Sequence, residues 1–436
     1  MTLDPLFFPK NIAIIGASPR EYTIGNRILT NLLEHNYRGS IFPVNPKGGV
    51  IKGLEVYRSI KDIPDSVELV HIILKSSYVK QTLIDCASKG VKVAIVNSAG
   101  FSETGPEGVI REQELVETAK KNNIRIFGPN CQGVINSDPA ISLYSNFTFA
   151  DMNDGHISIL AQGGGVAEVI NNYFGMNNIG TRMYASNGNA CDISTEDIIE
   201  YYGNDDKTKV IILHVENFKN PQKFLEVASK VSRKKPILAL KSGYTDAGAR
   251  AVSSHTGEMM GQDTTHDLLL KKAGVVRFYD LTSLCETAKA FAMQPVPKGN
   301  NVGIVTNAGS PAIIATDEAV RLGLNVPQLS KDSEQTLKKE LQEFAAVGNP
   351  IDMAATASAN EYRKSIEILI NDKNIDSIIV SFITPFFVDT LAIAQQIAEL
   401  VKTPDKTGVC VAMTNANWTQ TIYIIKAANV PVDYFP

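Results

Sequence analysis

The five cysteines, Cys86, Cys131, Cys191, Cys285 and Cys410, are scattered, and none pairs as CxxC. Neither a cysteine zinc site nor a disulfide framework is expected, and a reducing, cytoplasmic setting follows. No apolar run approaches the roughly 18 residues of a membrane-crossing helix, and the opening MTLDPLFFPK lacks the charged and apolar regions of a signal peptide. Basic blocks are absent too. With 42 Lys and Arg against 46 Asp and Glu, and a net charge of -4, the chain lacks the electrostatic footprint of nucleic-acid binding. No GxGxxG follows the first strand, and no acidic residue stands at ribose-binding spacing, which argues against an NAD(P)-dependent dehydrogenase. Nor does a glycine-rich lid precede spaced acidic metal ligands, so no metal ligand is assigned.

What is present is a soluble globular composition, 44% hydrophobic and 20% charged over 436 residues, too long for one ordinary domain. A strand, glycine turn and helix recur three times: at NIAIIGAS (11–18), HISILAQGGGVAEVI (156–170) and NVGIVTNAGSPAII (301–314). Unbroken apolar runs such as IAII predict strands buried on both faces, and alternating strands and helices predict parallel, doubly wound sheets. The fold class is therefore α/β, with three consecutive Rossmann- or flavodoxin-like parallel-sheet domains over residues 1–150, 151–298 and 299–436. The Pro/Gly/Asn-rich stretch PVPKGNN (295–301) marks the last boundary.

In such sheets ligands gather at the carboxyl ends of the strands. In the first unit these ends are Gly16-Ala17-Ser18, Asn45-Pro46-Lys47, Leu74–Ser77, Ser98-Ala99-Gly100-Phe101 and Asn130-Cys131-Gln132-Gly133. Gly16–Ser18 is a backbone nest before a helix, suited to a phosphate, and Lys47 adds a point charge. Cys131 is read as a small buried residue at a turn. In the second unit Gln162, Gly163, Gly164 and Gly165 precede an apolar helix, another anion site. Glu216 ends the strand KVIILHV at the crevice mouth, while His214 is a packed strand residue. The TNAGSP turn (306–311) fits either an anion site or a plain turn. His35, His71, His156 and His266 are given no role.

One stretch organises the rest. Lys241–Gly261 reads KSGYTDAGARAVSSHTGEMMG, with four glycines and a Ser-Ser-His-Thr-Gly core. It is expected to be a long, small-residue loop between a strand and a helix, with His255 unpacked by bulky neighbours. A neutral imidazole is a nucleophile near physiological pH; as a plain loop residue it would simply be solvated.

KSGYTDAGARAVSSHTGEMMGQD resembles the phosphohistidine loop of the NDP-forming acyl-CoA synthetases, relatives of succinyl-CoA synthetase, and GAS, NPK, SAGFSETG and GPNCQG resemble the CoA-binding domain of that family. The resemblance spans essentially the whole chain. It implies an ADP-forming acid–CoA ligase working through an acyl phosphate and a phosphohistidine. His255 would be phosphorylated and Glu216 would orient it. Residues 16–18, 45–47 and 98–101 would hold CoA, residues 130–133 would border the thioester, and Gln162–Gly165 would receive the phosphate. Relatives often read Ser-x-Ser-Gly where this chain has Ala161-Gln162-Gly163-Gly164, so the pocket depends on backbone N–H groups and Gln162. CoA and a small carboxylic acid are the implied ligands, with ATP or ADP and Mg²⁺ on an ATP-grasp part that nothing here resembles. That part is expected as a separate subunit or a fused domain, in a homo- or hetero-oligomer. The third unit resembles the ligase-CoA domain and, ending at VPVDYFP, is expected to be truncated. Succinyl-CoA synthetase itself is disfavoured by residues 299–436. The alternative is a CoA-binding scaffold of a protein acetyltransferase without ligase activity.

Overall fold

Apolar strand runs become the centres of three sheets. The computed structural model describes residues 2–148, 151–256, 263–402, 405–413 and 418–433. Two compact units emerge, Met1–Ala288 and Lys289–Pro436. The first sheet holds β1 (Asn11–Ile15), β2 (Ser40–Val44), β3 (Leu69–Ile72), β4 (Val93–Val96) and β5 (Arg125–Phe127). All are parallel, in the order β2-β1-β3-β4-β5. β3 and β4 are buried throughout, as expected where helices cover both faces. Helix α1 (Ile24–Glu34) starts at Thr23, whose hydroxyl accepts from the Asn26 amide. It presses Ile28, Leu29 and Leu32 into the core. Their i, i+1, i+4 spacing sets them on one face of the helix.

The second sheet contains β6 (Gly133–Asn136), β7 (Leu143–Asn146), β8 (Asp154–Ala161), β9 (Thr181–Ser186), β10 (Val210–Val215), β11 (Ile237–Lys241) and β12 (Val276–Phe278). Its order is β12-β11-β10-β8-β9-β6-β7, and β6 pairs antiparallel with β9. This sheet is therefore mixed rather than purely parallel, and residues 133–146 are its edge. A hydrogen-bonded ion cluster pins that edge. Buried Arg182 on β9 reaches Asp138 at 2.8 Å and Asp205 at 3.2 Å, and Lys207 adds a contact to Asp138 at 2.7 Å. Nothing in the periodicity of 133–146 says which sheet it joins.

The second unit is built on β13 (Val302–Thr306), β14 (Ile351–Asp352), β15 (Ser377–Ile383), β16 (Thr407–Met413) and β17 (Val432–Asp433), ordered β14-β13-β15-β16-β17. Counting only parallel strands, all three sheets read 2-1-3-4-5 in order of appearance, the flavodoxin order. Each therefore has its switch point between its first and third strands. In the third sheet Asn307 closes that point by exchanging hydrogen bonds with Ile383 at 2.9 and 3.0 Å. A Cβ at Gly309 would lie 2.8 Å from an Asp352 carboxylate oxygen, and with the flanking strands tied by Asn307 the TNAGSP segment serves as a structural turn.

The Arg182 cluster yields a stability prediction. Burial alone would raise the Asp138 pKa, but bonds from Lys207, the Ala140 amide and Arg182 hold it at about 2. This is below the ordinary value of about 4, so the contribution is complete above about pH 4 and is lost as pH falls towards 2. Asp138→Asn should flatten the fall of the urea midpoint over that window. Arg182→Met, which removes the cation shared by Asp138 and Asp205, should cost about 3 kcal/mol at neutral pH. An unchanged acid limb in Asp138→Asn would remove Asp138 as its source.

Candidate active site

At the switch point of the second sheet β8 and β10 run side by side, Ala161 level with His214. Beyond this pair come Gln162 on one strand and, after Val215, Glu216 on the other. The Gln162 carboxamide oxygen accepts from the Glu216 and Asn217 amides at 2.5 and 2.9 Å, and its nitrogen donates to the Asn217 carbonyl at 2.7 Å. Gln162 thus builds the turn that carries Glu216. Its oxygen is committed to that turn, and one of its two amide hydrogens remains for the phosphate role expected of it.

Helix α4 (Gly164–Met176) begins beside this turn, with Gly163 as its N-cap and no side chain capping it. Gly163 and Gly164 are needed for room, since neither has a positive φ. A Cβ at Gly163 would stand 2.6 Å from Glu216 Oε1, and one at Gly164 would stand 2.4 Å from the Gln132 carboxamide carbon. Around Gly165 there is open space. The first amides of α4 therefore face an uncluttered volume, flanked by a carboxylate and a carboxamide.

That volume is a cleft of about 610 Å³. The ends of β4 and β5 form one wall, through Asn97–Ala99 and Asn130–Gln132; Gln162–Gly165 and Glu216–Lys219 form the opposite wall. Polar bridges join the two sheets around it. Arg125 holds Asp192 at 2.9 Å and Asp197 at 3.2 Å. Asn31 donates to the carbonyls of Asn146 and Thr148, and Asn189 donates to Ser102, Glu103 and Glu112.

The predicted CoA residues divide into several groups. Asn45 donates to the Ala17 carbonyl at 2.8 Å and accepts from the Lys47 amide at 3.0 Å, drawing the 16–18 and 45–47 turns together. Gly16 sits at φ 101°, where a Cβ would strike the Ile73 carbonyl. Pro46 and Lys47 are exposed, Ser18 is half-buried, and none of these residues lines the cleft. Ser98 and Ala99 do line it. Gly100 and Phe101 do not: the Phe101 ring is buried in the core, and both amides donate to Glu103 Oε1. Burial would raise the Glu103 pKa, but Asn189 and these amides hold the carboxyl below its usual value. An anion sought at those amides would have to displace an internal one.

Of the predicted thioester residues, Asn130 and Gln132 face the cleft. Cys131 is 5% exposed, and burial pushes its thiol up to about 12, so it is packing rather than a nucleophile. Gly133 is a correction. It lies inside β6, where a Cβ would meet the Ser145 carbonyl at 2.2 Å, and it is a packing glycine.

The stretch expected as a loop is partly helical, a further correction. Helix α7 spans Asp246–Thr256, started by the Thr245 hydroxyl accepting from the Gly248 amide at 3.0 Å. Three alanines in the run Ala247–Ala251 supply helix propensity that the glycines and serines had masked. α7 packs beside the Ser102–Thr104 turn. His255 lies in its last turn; the side chain of His255, and residues 257–262, lie outside what is described. His214 is buried and bonds Ser242 Oγ at 2.7 Å, and His266 is buried against Phe218.

One residue escaped sequence reasoning. Lys241, ending the apolar run ILALK, is 1% exposed. Burial lowers its pKa to about 8; Asp263 and Glu216 act to raise it and Arg277 to lower it. The signal was available as a lysine closing a fully apolar strand.

Three family models match the chain in succession. Family models match as a CoA binding domain over 10–137, a succinyl-CoA ligase like flavodoxin domain over 154–291 and a ligase-CoA domain over 302–429. The chain is 38% identical to the alpha subunit of acetate–CoA ligase [ADP-forming] II of Pyrococcus furiosus, over 88% of this chain and 83% of that one. It belongs to the ADP-forming acid–CoA ligases. Another relative is the 4-hydroxybutyrate–CoA ligase [ADP-forming] of Nitrosopumilus maritimus, 32% identical over 99% of this chain and 62% of that longer one. Among solved structures, acetyl-coenzyme A synthetase 1 of Ca. Korarchaeum cryptofilum, in complex with phosphate and ADP, superposes with a TM-score of 0.93 at 28% identity, covering 100% of this chain and 94% of that one. The ligase fold is thus present throughout. No helix among the described residues is long and apolar enough to cross a membrane.

Two predictions test this geometry in the ligase. Gly163→Ala keeps an ordinary backbone (φ −93°) but drives a methyl into Glu216, and should slow turnover about 100-fold with little loss of stability, as small misplacements at reacting centres do. Lys241 loses its charge above about pH 8, so activity should fall there. Lys241→Arg, which stays charged, should move that limb upward. A limb unchanged in the arginine variant would exclude Lys241.

Proposed function

We propose that this chain, with an ATP-grasp subunit or domain and Mg²⁺ accompanying the nucleotide there, interconverts a small carboxylic acid, CoA and ATP with acyl-CoA, ADP and phosphate. In the ATP-forming direction phosphate attacks the thioester carbonyl, releasing CoA and forming an acyl phosphate. His255 then attacks phosphorus, the acid leaves, and the phosphoryl group passes from His255 to ADP. Glu216 accepts a hydrogen bond from one imidazole nitrogen and presents the other as nucleophile. The amides at Gly164 and Gly165 stabilise the phosphoryl oxygens. CoA is held by Gly16–Ser18, Asn45–Lys47 and Ser98–Ala99, and its thioester reaches Asn130. The protein works in the cytoplasm, in keeping with five free thiols, and as a homo- or hetero-oligomer.

The observation that carries this reading is the Glu216 carboxylate lodged at the switch point beside an uncapped helix N-terminus, across a cleft from Ser98 and Asn130. Acid–CoA ligase relatives named for acetate and 4-hydroxybutyrate set the first acids to try.

The test is incubation with radiolabelled phosphate and a panel of short, hydroxylated and aryl acyl-CoAs, without nucleotide. Acid-labile label should appear with at least one of them, vanish in His255→Ala and fall at least tenfold in Glu216→Gln. If no label forms, the chain is retested with ATP and an ATP-grasp partner. Failure there too leaves a CoA-binding scaffold.

A further inference from the structure

Gln132 stands on the wall of the cleft opposite Gly163, and its amide is oriented by one buried group. Tyr184, fully buried on β9, donates its hydroxyl to Gln132 Oε1. Burial raises the Tyr184 pKa far above its ordinary value, so the phenol remains a donor at working pH. With Oε1 held by a donor, Nε2 must be the end that points away from Tyr184. That nitrogen lies 2.6 Å from where a Gly164 Cβ would be, against the first turn of α4. Gln132 Nε2 meets no acceptor among the described residues. The strand end on the α4 side, Ala161 to Gly164, offers no hydroxyl, and the Gln162 side chain is held in the 216–217 turn.

We propose that the Gln132 carboxamide, locked by Tyr184, donates a hydrogen bond from Nε2 to an oxygen of the phosphoryl group bound at the α4 N-terminus. Gln132 is thus a phosphate-binding residue contributed by the loop between β5 and β6, and Tyr184 is its positioning residue. The assignment rests on the reading of the cleft given above and refines it: the hydroxyl donor that the end of β8 lacks is replaced by an amide from that loop. A neutral amide suits a site where phosphate must enter and leave, since it adds one donor without a fixed charge. Glutamate at 132 would instead set a carboxylate against the phosphate. Leucine would keep the volume and remove the donor.

The test measures inorganic phosphate binding to the full chain by ³¹P line broadening, together with steady-state KM for phosphate and for acyl-CoA in the presence of ADP and the ATP-grasp partner. Gln132→Leu should weaken phosphate binding and raise its KM about tenfold or more, the worth of one hydrogen bond to a charged group. KM for acyl-CoA should stay within about twofold. Gln132→Glu should be worse than leucine, and its deficit should shrink as pH falls towards the carboxyl range. Tyr184→Phe, which frees the amide to flip, should show a smaller phosphate-selective loss. If a variant unfolds, its binding is read only below its melting temperature, and Gln132→Asn, shorter but still a donor, supplies the folded comparison. Phosphate binding unchanged in Gln132→Leu overturns the assignment. A rise confined to the acyl-CoA KM also overturns it and moves the amide to the thioester carbonyl, and so does a wild-type chain that binds no phosphate. A wild-type chain that binds phosphate through Gln132 but never labels His255 would instead retire the phosphohistidine reading and leave this one standing.

Discussion

The site depends on the absence of a side chain at position 163. The bare Cα of Gly163 lets the Glu216 carboxylate stand against the N-cap of α4, and the β10 turn that carries Glu216 is braced by Gln162 from the neighbouring strand. An acid at this spot gains from the helix dipole, by up to about 2 kcal/mol when partly buried. It also competes for that dipole with any incoming phosphate. Two features relieve the conflict. Glu216 occupies the strand side of the helix end, whereas the space beside Gly165 is open. Lys241, buried and acted on by the same carboxylate, brings a compensating positive charge at neutral pH. Internal anion, buried cation and bare amides are therefore one electrostatic arrangement.

Positioning such groups needs walls that do not drift, and polar cross-links supply them. The β6–β7 hairpin leaves the first sheet and completes the second, and His71 of β3 meets Ser145 of β7 at 2.9 Å in the buried seam. His71 is wholly buried, and burial lowers its pKa to about 3, so it serves as a neutral hydrogen-bonding group across working pH. Together with Arg125 and Asp192, such contacts make the cleft a property of one compact unit. Preformed donors are worth most where no reorganisation precedes the reaction.

The parallel strands were legible because burial on both faces writes them as unbroken apolar runs, and the strand ends that carry Glu216 and the glycines followed directly. What stayed hidden was of two kinds. The hairpin at 133–146 has strand character but no mark of its partner, since pairing is decided by the distant Arg182 cluster. Side-chain commitments were equally invisible. Gln162, read as a donor to phosphate, also holds a turn, while Phe101 fills core and its amide holds Glu103. The helix at 246–256 was masked because Gly and Ser dominate the local impression, although three alanines and a Thr245 cap supply a start signal.

The repeated topology sharpens what the second sheet has that the third lacks. Both place a glycine-led helix after the first strand of a 2-1-3-4-5 sheet. In the third sheet the carboxylate beside the helix start is Asp352, 2.8 Å from where a Gly309 Cβ would stand, and Asn307 ties the flanking strands shut. In the second, two further glycines follow the one facing Glu216, and the strands diverge into a cleft. An acid at a helix start is thus compatible with either a sealed turn or an anion site. The difference lies in how many bare backbone positions follow it and whether a side chain stitches the switch point. Function here is set by what was left out at Gly164 and Gly165 as much as by the acid itself.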